Sequence, residues 1–334
     1  MGPQTKPQTT TALSVPTTVT LDELRAMAVY KGNLYVVNGG KSASNLLVFQ
    51  GPPAKGPAFN YLDTVIGPGQ SIMHPFGIAF DSSSCYISNQ DSNVVAQVNL
   101  TAGNNGQVTG SLGSGCQCDY LTNLYPPAIR FLDGTFVASQ NGNLVGVAVV
   151  APDVEQSQGG LNVLPASKSG KPVAPSNSVR DVAIANGILF VCDEVDCQVN
   201  MYDLSGGAYL GSGSLNKLSP THLAISGSGL WVSAGESLLW SALPSSTSGA
   251  SLSFQAVAIT LPKKNKVGGI SFDSSGNVYV VFQDGTGGTG TGSIQKYIVT
   301  SGTPPTLQNA TTFATISEDT PEFCLWISDS HWPS

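Results

Sequence analysis

Short apolar runs recur along this chain, broken by Gly, Ser, Asn and Asp. That is the signature of short strands joined by tight turns. One block recurs six times: an apolar strand, a turn, then a strand rich in aromatic and β-branched residues. Its copies read RAMAVYKGNLYVVN, FGIAFDSSSCYISN, PAIRFLDGTFVASQ, RDVAIANGILFVCD, THLAISGSGLWVSA and GGISFDSSGNVYVV. The aromatic of the second strand falls at Tyr35, Tyr86, Phe136, Phe190, Trp231 and Tyr279, at intervals of 41 to 54 residues. A third strand usually follows (NLLVFQ, VVAQVNL, QVNMYDL, SIQKYIVT), and a more polar fourth closes each unit. Helical periodicity is nearly absent. The best candidate, TLDELRAMAV, overlaps the first block and reads as a cap followed by a strand.

Four short antiparallel strands repeated at this interval describe the blades of a propeller. An isolated blade cannot bury both faces, so neighbours must stack until the ring closes. The expected fold is all-β: a six-bladed β-propeller of four-stranded antiparallel blades around a central channel. Residues 1–20 read as a tail and candidate closing strand, and residues 21–334 as a single propeller domain. Two segments compete to close the ring. SVPTTVTL reads as an extra outer strand and TPEFCLWISDS as a seventh inner strand. One should zip the ring shut and the other pack on a face.

Composition narrows the partners. Of 334 residues only 10% are charged and 41% are hydrophobic, with a net charge of −7. Only 14 are Lys or Arg, which argues against nucleic acid and against an anionic membrane surface. No apolar run approaches the ~18 residues of a helical membrane span. The first residues lack a signal-peptide core and read as a mature or truncated end. A closed propeller has few exposed edges, so a monomer or weak oligomer is expected.

Six cysteines bear on the compartment. Cys192 and Cys197 bracket four residues at a predicted hairpin tip, where opposed positions would support a disulfide. Cys116-Gln-Cys118 lies before the third blade, and one of the two could reach Cys85; Cys324 completes the set and the remaining pairings stay open. A Cys-x-Cys without a matching pair is a poor zinc set, and no metal is expected. Asn99-Leu-Thr101 and Asn309-Ala-Thr311 fit the glycosylation sequon. Together these features suggest a disulfide-bonded glycoprotein, secreted or in the lumen of the secretory pathway.

In a propeller the ligand site usually sits on the channel axis, where inner strands begin and second-to-third-strand loops converge. The inner-strand starts offer Arg25, His74, Phe76, Arg180, Asp181 and His222. By repeat number Arg25 and Arg180 face each other across the ring, and so do His74 and His222. The loops offer Asn38, Asn89, Gln90, Asp91, Gln140, Asn141, Asp193, Glu194, Glu236, Gln283 and Asp284. His74 and His222 suit proton transfer or hydrogen bonding to a bound oxygen, against the alternative of a histidine satisfied inside a loop. Arg25 and Arg180 suit an anion or carbonyl, against a structural salt bridge. Asn89, Gln140, Asn141 and Gln283 are candidate substrate contacts, although amides more often serve turns. Asp193 and Glu194 lie inside the expected disulfide loop and read as solvated. Phe76 and Trp326 could form an apolar wall. No GxSxG elbow, HExxH, phosphate loop or calcium loop is present.

The block PFGIAFDSSSCYISNQDSNVV resembles an NHL-type repeat, whose pattern is P-x-G-I-A-V-D followed by a V-Y-V-A-D strand and a polar turn. The resemblance extends over nearly the whole chain. It implies a propeller of a group that includes gluconolactonase-type hydrolases, strictosidine synthase-like enzymes and interaction propellers. The lactonases hold a divalent metal with Glu, Asn and Asp. Here Asn141 and Asp193 could contribute, but the inner Glu is missing from RAMAV, which Glu23 precedes. In its low charge, Thr- and Ser-rich outer strands, sequons and divergent repeats the chain is also similar to fungal hetero-Diels–Alderases of tropolone–sesquiterpenoid biosynthesis.

That second resemblance implies a metal-independent pericyclase without a cofactor. Such an enzyme joins a tropolone quinone methide to a humulene-type sesquiterpene, two small apolar substrates. Holding them in near-attack geometry can supply several of the ~7–11 kcal/mol available from proximity. Donors on the tropolone oxygens would stabilise developing charge, a task that fits Arg25, Arg180, His74 and His222. A base would help expel water to form the quinone methide. Two other readings stand beside this one: a metal-dependent gluconolactonase-like hydrolase, and a non-catalytic binding propeller.

Overall fold

The computed structural model describes residues 15–21, 24–39, 44–50, 60–66, 72, 74–80, 84–89, 94–100, 107–111, 125–132, 135–141, 148–150, 179–194, 196–203, 209–261, 265–284, 292–316 and 323–325. These hold twenty-three strands, β1 to β23, and no helix among the described residues. The strands form six antiparallel sheets in which sheet order follows chain order. Blade one is β1 (Leu24–Tyr30), β2 (Asn33–Gly39), β3 (Ser44–Gln50) and β4 (Asn60–Ile66). Blade two is β5 (Pro75–Phe80), β6 (Ser84–Asn89), β7 (Val94–Asn99) and β8 (Gln107–Ser111). Blade three has three described strands, β9 (Tyr125–Leu132), β10 (Thr135–Asn141) and β11 (Ala148–Val150). Blade four is β12 (Val179–Ala185), β13 (Ile188–Asp193), β14 (Gln198–Asp203) and β15 (Tyr209–Ser214). Blade five is β16 (Pro220–Ser226), β17 (Gly229–Ala234), β18 (Ser237–Ala242) and β19 (Gln255–Val257). Blade six is β20 (Asn265–Phe272), β21 (Val278–Asp284), β22 (Gly292–Thr300) and β23 (Thr306–Ile316). The protein is a six-bladed β-propeller, as the repeat predicts.

The turns show how the sequence sets this pattern. Asn186 and Gly187 join β12 to β13 with φ of 53° and 71°. Both central residues are left-handed, as a two-residue hairpin matched to strand twist requires. In blades four and five the second strand carries the core: every residue of β13 and β17 is buried. A strand covered on both faces reads as a continuous apolar run, which is why ILFV and LWV recur where surface strands would alternate. Tyr35, Val37, Ile78 and Ile87 pack between blades one and two, Phe190, Val199, Leu223 and Val232 between four and five, and Trp231, Val267, Val280 and Phe282 between five and six. Inner strands touch in succession from β1 through β5, β9, β12 and β16 to β20.

The described parts of the two terminal segments, residues 15–21 and 323–325, are not in strands. Among the described residues each four-stranded sheet is built from consecutive strands. The described part of SVPTTVTL is a turn, closed by the Val19 N–H donating to the Pro16 carbonyl at 2.9 Å. Val15 and Val19 pack on Leu34, Val36, Leu47 and Phe49, the face of blade one turned away from blade two. Residues 323–325 of TPEFCLWISDS are not in a strand either. The Cys324 thiol donates to the Tyr279 carbonyl at 3.6 Å, which lays this segment on blade six.

Candidate functional site

One irregularity recurs at the same place in every blade. Where the inner strand begins, it carries an extra residue relative to the second strand. In blade one Leu24 pairs with Asn38 and Met27 with Val36, so Arg25 and Ala26 oppose Val37 alone. The slip recurs between Pro75 and Ile78, Tyr125 and Ala128, Val179 and Val182, Pro220 and His222, and Val267 and Ile270. A bulge of this kind bends a strand and re-aims its side chains, and bulges are common beside active sites. Arg25, Phe76, Pro126, Arg180, Thr221 and Gly268 hold the first bulge position. Ala26, Gly77, Pro127, Asp181, His222 and Gly269 hold the second.

The candidate residues sort against this ring. Arg25 and Arg180 occupy equivalent positions three blades apart, as the repeat count predicts. His74 and His222 do not. His222 is a bulge residue, whereas His74 precedes β5 and sits three residues before its equivalent, Gly77. The one-residue offsets of the bulges are invisible to a repeat count. His74 instead joins Arg25: the guanidinium Nη2 lies 3.3 Å from His74 Nε2. With the guanidinium donating, this imidazole carries its own proton on Nδ1. The His74 backbone has φ of 52°, a left-handed conformation that histidine adopts more readily than most residues. Its N–H donates to the Ser44 hydroxyl of blade one at 3.0 Å. Gly39 makes the juxtaposition feasible, since a β-carbon there would collide with the Pro75 carbonyl and lie 2.8 Å from Arg25 Cγ.

Blades four and five present a second pair. Asp181 is 3% exposed and His222 6%. One Asp181 oxygen accepts the Val182 N–H at 2.8 Å, and the other accepts the Leu223 N–H of the neighbouring blade at 2.9 Å. The carboxylate therefore fastens β16 to β12 directly beside His222. The His222 ring meets Phe323 edge-on, with centroids 5.0 Å apart and planes at 82°. The repeat alignment of RDVAIANG with THLAISGS sets Asp181 level with His222, next to the Leu223 N–H that it accepts from. The repeat carries no signal for Phe323 or Gly39.

Several expectations need correction. No disulfide joins Cys192 to Cys197. Cys192 pairs with Val199 and Asp193 with Gln198, so the residue across from Cys197 is Glu194. Cys192 is instead buried in the core between blades four and five. Burial, with the Asp181 and Asp193 carboxylates adding to it, pushes that thiol well above its ordinary range. The Cys197 thiol reaches the Glu194 carbonyl at 3.7 Å and the Ser219 hydroxyl at 3.8 Å. Asp193 is not solvated; it is fully buried, and its oxygens accept from the Asp196 N–H at 3.1 Å and the Asn200 amide at 3.3 Å. Asn38 is also buried, donating to the Thr20 carbonyl at 2.7 Å and to Asn45 at 3.1 Å. Gln283 lies near the end of β21, opposite Lys266, half-buried. Trp326, Gln90, Asp91, Cys116 and Cys118 lie outside the described residues. Phe76, Asn89, Gln140, Asn141, Arg180 and Asp284 are placed in their strands, but their side chains lie outside the described set. Among the described residues no three His, Cys, Asp or Glu side chains come together in a group able to hold a metal ion, and no helix is long and apolar enough to cross a membrane.

The inner-strand ends therefore supply a guanidinium beside an imidazole at one junction and a carboxylate beside an imidazole at another. Such groups can grip and polarise oxygen atoms of a small molecule. No protein-family model matches the chain, and no curated protein matches it in sequence. In fold it is similar to the β-propeller domain of Cps50 (Swd1) from Myceliophteria thermophila, at 8% identity over 92% of this chain and 90% of that one, with a TM-score of 0.59. It is similar also to a candidate 6-phosphogluconolactonase from Bacteroides fragilis, at 12% identity over 89% and 85%, TM-score 0.60. The computationally designed Ika8 protein is comparable, at 14% identity over 89% and 76%, TM-score 0.55. At these identities the likeness is one of fold.

Proposed function

We propose that the ring of inner-strand ends is the active site of a metal-independent pericyclase, a hetero-Diels–Alderase that joins a tropolone quinone methide to a humulene-type sesquiterpene. The observation that carries the reading is the Arg25–His74 pair. Two donor-bearing side chains from adjacent blades meet at 3.3 Å where the inner strands begin. A tropolone presents adjacent oxygens, which a guanidinium and an imidazole can engage together. Hydrogen bonds to those oxygens lower the empty orbital of the heterodiene and strengthen as charge develops, so they favour the transition state over the ground state. His74 is also suited to relay the tropolone hydroxyl proton to the departing hydroxyl, so that water leaves and the quinone methide forms with no net proton change. The buried His222, backed by Phe323, offers a second donor framed by an apolar ring.

The test is product formation from a tropolone quinone-methide precursor and a humulene alcohol, followed by chiral chromatography with mass detection. The wild-type protein should give one stereoisomer faster than buffer. Arg25→Ala should lower the rate by about 10²–10³, the loss typical of one removed oxyanion donor. A product mixture and rate equal to those in buffer would refute the reading. Hydrolysis of sugar lactones that stops with chelator would favour a metal-dependent hydrolase instead, and the absence of both activities a binding propeller.

A further inference from the structure

Blades six and one meet where the two ends of the chain come together, and a cavity of about 340 Å³ lies at that seam. Met27 of β1 forms one wall, Ile294 of β22 and Phe313 of β23 another, and Phe323 and Leu325 of the C-terminal segment a third. Among the described residues the two blades share no strand, and terminal segments rather than sheet edges fill the gap between them. Two wall residues, Phe313 at 38% and Leu325 at 39%, are among the few large apolar side chains exposed to solvent. They mark the mouth.

Among the described lining residues only Ser271, Tyr279 and Cys324 carry a polar side-chain atom. The Cys324 thiol donates to the Tyr279 carbonyl, and the Tyr279 phenol donates to the Asp273 carboxylate at 3.4 Å. A buried water needs two to four polar partners, and cavities without them stay dry and accept hydrocarbons. We infer that the seam cavity is a binding site for a small uncharged hydrocarbon. At ~30 Å³ per water-sized group the space takes about eleven such groups, the scale of a ten- to fifteen-carbon skeleton. The volume also falls at the low end of the ~300–1,000 Å³ usual for small-molecule pockets. A ligand there touches the first and last blades at once and stabilises the junction that no sheet spans. The site does not depend on the proposed cycloaddition.

Cys324 reports on occupancy. Its thiol is pushed up to about 12 by burial, so it alkylates slowly at pH 8 and its rate follows access to the cavity. The experiment follows iodoacetamide labelling of Cys324 by peptide mass spectrometry, alongside thermal unfolding, with α-humulene, dodecane or decanoate added to the intact protein. With α-humulene at ten times its dissociation constant, labelling should slow about tenfold and the melting temperature should rise. Decanoate should protect less than dodecane, because its carboxylate would have to enter a space whose described lining is mostly apolar. Ile294→Trp and Ser271→Leu, which fill the space from β22 and β20 of blade six, should each abolish protection while unfolding cooperatively. Unchanged labelling of the wild type with α-humulene, stronger protection by decanoate, or full protection retained in both filled variants would overturn the inference. Turnover plays no part in these readouts, so loss of the cycloaddition reading would leave them intact.

Discussion

Replacing Asp181 tests whether polar bonds or packing fasten blade four to blade five. Its two oxygens hold the N–H groups of Val182 and Leu223, residues that are 0% and 5% exposed. Asp181→Ala strands both donors where water has poor access. A buried unsatisfied donor costs about 1–3 kcal/mol, and relief from burying the carboxylate offsets part of the sum, leaving a loss of about 3 kcal/mol. At roughly 2–4 °C per kcal/mol for a chain of this size, the melting temperature should fall by about 6–12 °C. Asp181→Asn discriminates the causes. It keeps the shape but sets an NH2 against one of the two N–H groups, so the hydrogen-bond account has Asn rescue little of the loss. A packing account has it rescue nearly all. Urea unfolding gives the free energies, and amide exchange at Val182 and Leu223 locates the change. An Asn variant as stable as wild type, or an Ala variant within about 0.5 kcal/mol of it, would refute the account.

Four further outcomes follow from single contacts. Gly39→Ala forces a β-carbon against the Pro75 carbonyl and Arg25 Cγ; it should cost about 1–3 kcal/mol of stability, and adding Arg25→Ala should lower turnover no further. Although burial opposes it, hydrogen bonds from Asn277 and the Lys296 ion pair at 3.2 Å lower the Asp273 carboxyl below its ordinary 3.8. Its contribution is therefore full above that value and lost as pH falls through the lowered one, so melting temperature should drop below pH 4, less steeply in Asp273→Asn. Tyr202 is fully buried and its phenol oxygen has no hydrogen-bond partner among the described residues; Tyr202→Phe should raise the urea midpoint. Non-reducing peptide mapping should find Cys197 readily alkylated and Cys192 inert, with no linkage between them.

The repeat made the blades legible because a strand buried on both faces writes itself as an unbroken apolar run. ILFVC and LWVSA announce β13 and β17, and Asn186-Gly187 announces the turn before one of them. The site was legible only to the nearest residue or two. Bulges add one residue to each inner strand, and one residue decides which way a side chain points. Arg25 and Arg180 survived that offset because both lie in a bulge, while His74 and His222 did not match. The Cys192–Cys197 bridge failed for a similar reason, since the pair β13–β14 closes at Asp193 and Gln198 and sets Cys192 across from Val199.

The six bulges also show where this chain departs from its own repeat. A symmetric propeller would present six equivalent side chains to the channel, and such a ring has no directional chemistry. Here the first bulge position runs Arg, Phe, Pro, Arg, Thr and Gly around the ring, and the second runs Ala, Gly, Pro, Asp, His and Gly. Charge and hydrogen-bonding capacity gather at the junctions of blades one with two and four with five. Blade three contributes only Pro126 and Pro127, and blade six only Gly268 and Gly269 at these positions. A small molecule on this axis would meet polar groups at two junctions rather than all round the ring, which would fix its orientation. If that asymmetry carries function, Thr221→Arg, which adds a third guanidinium at an equivalent and half-buried position, should change product stereochemistry more than it changes stability. A variant that keeps the wild-type product ratio would mean that the bulge ring does not orient the substrate.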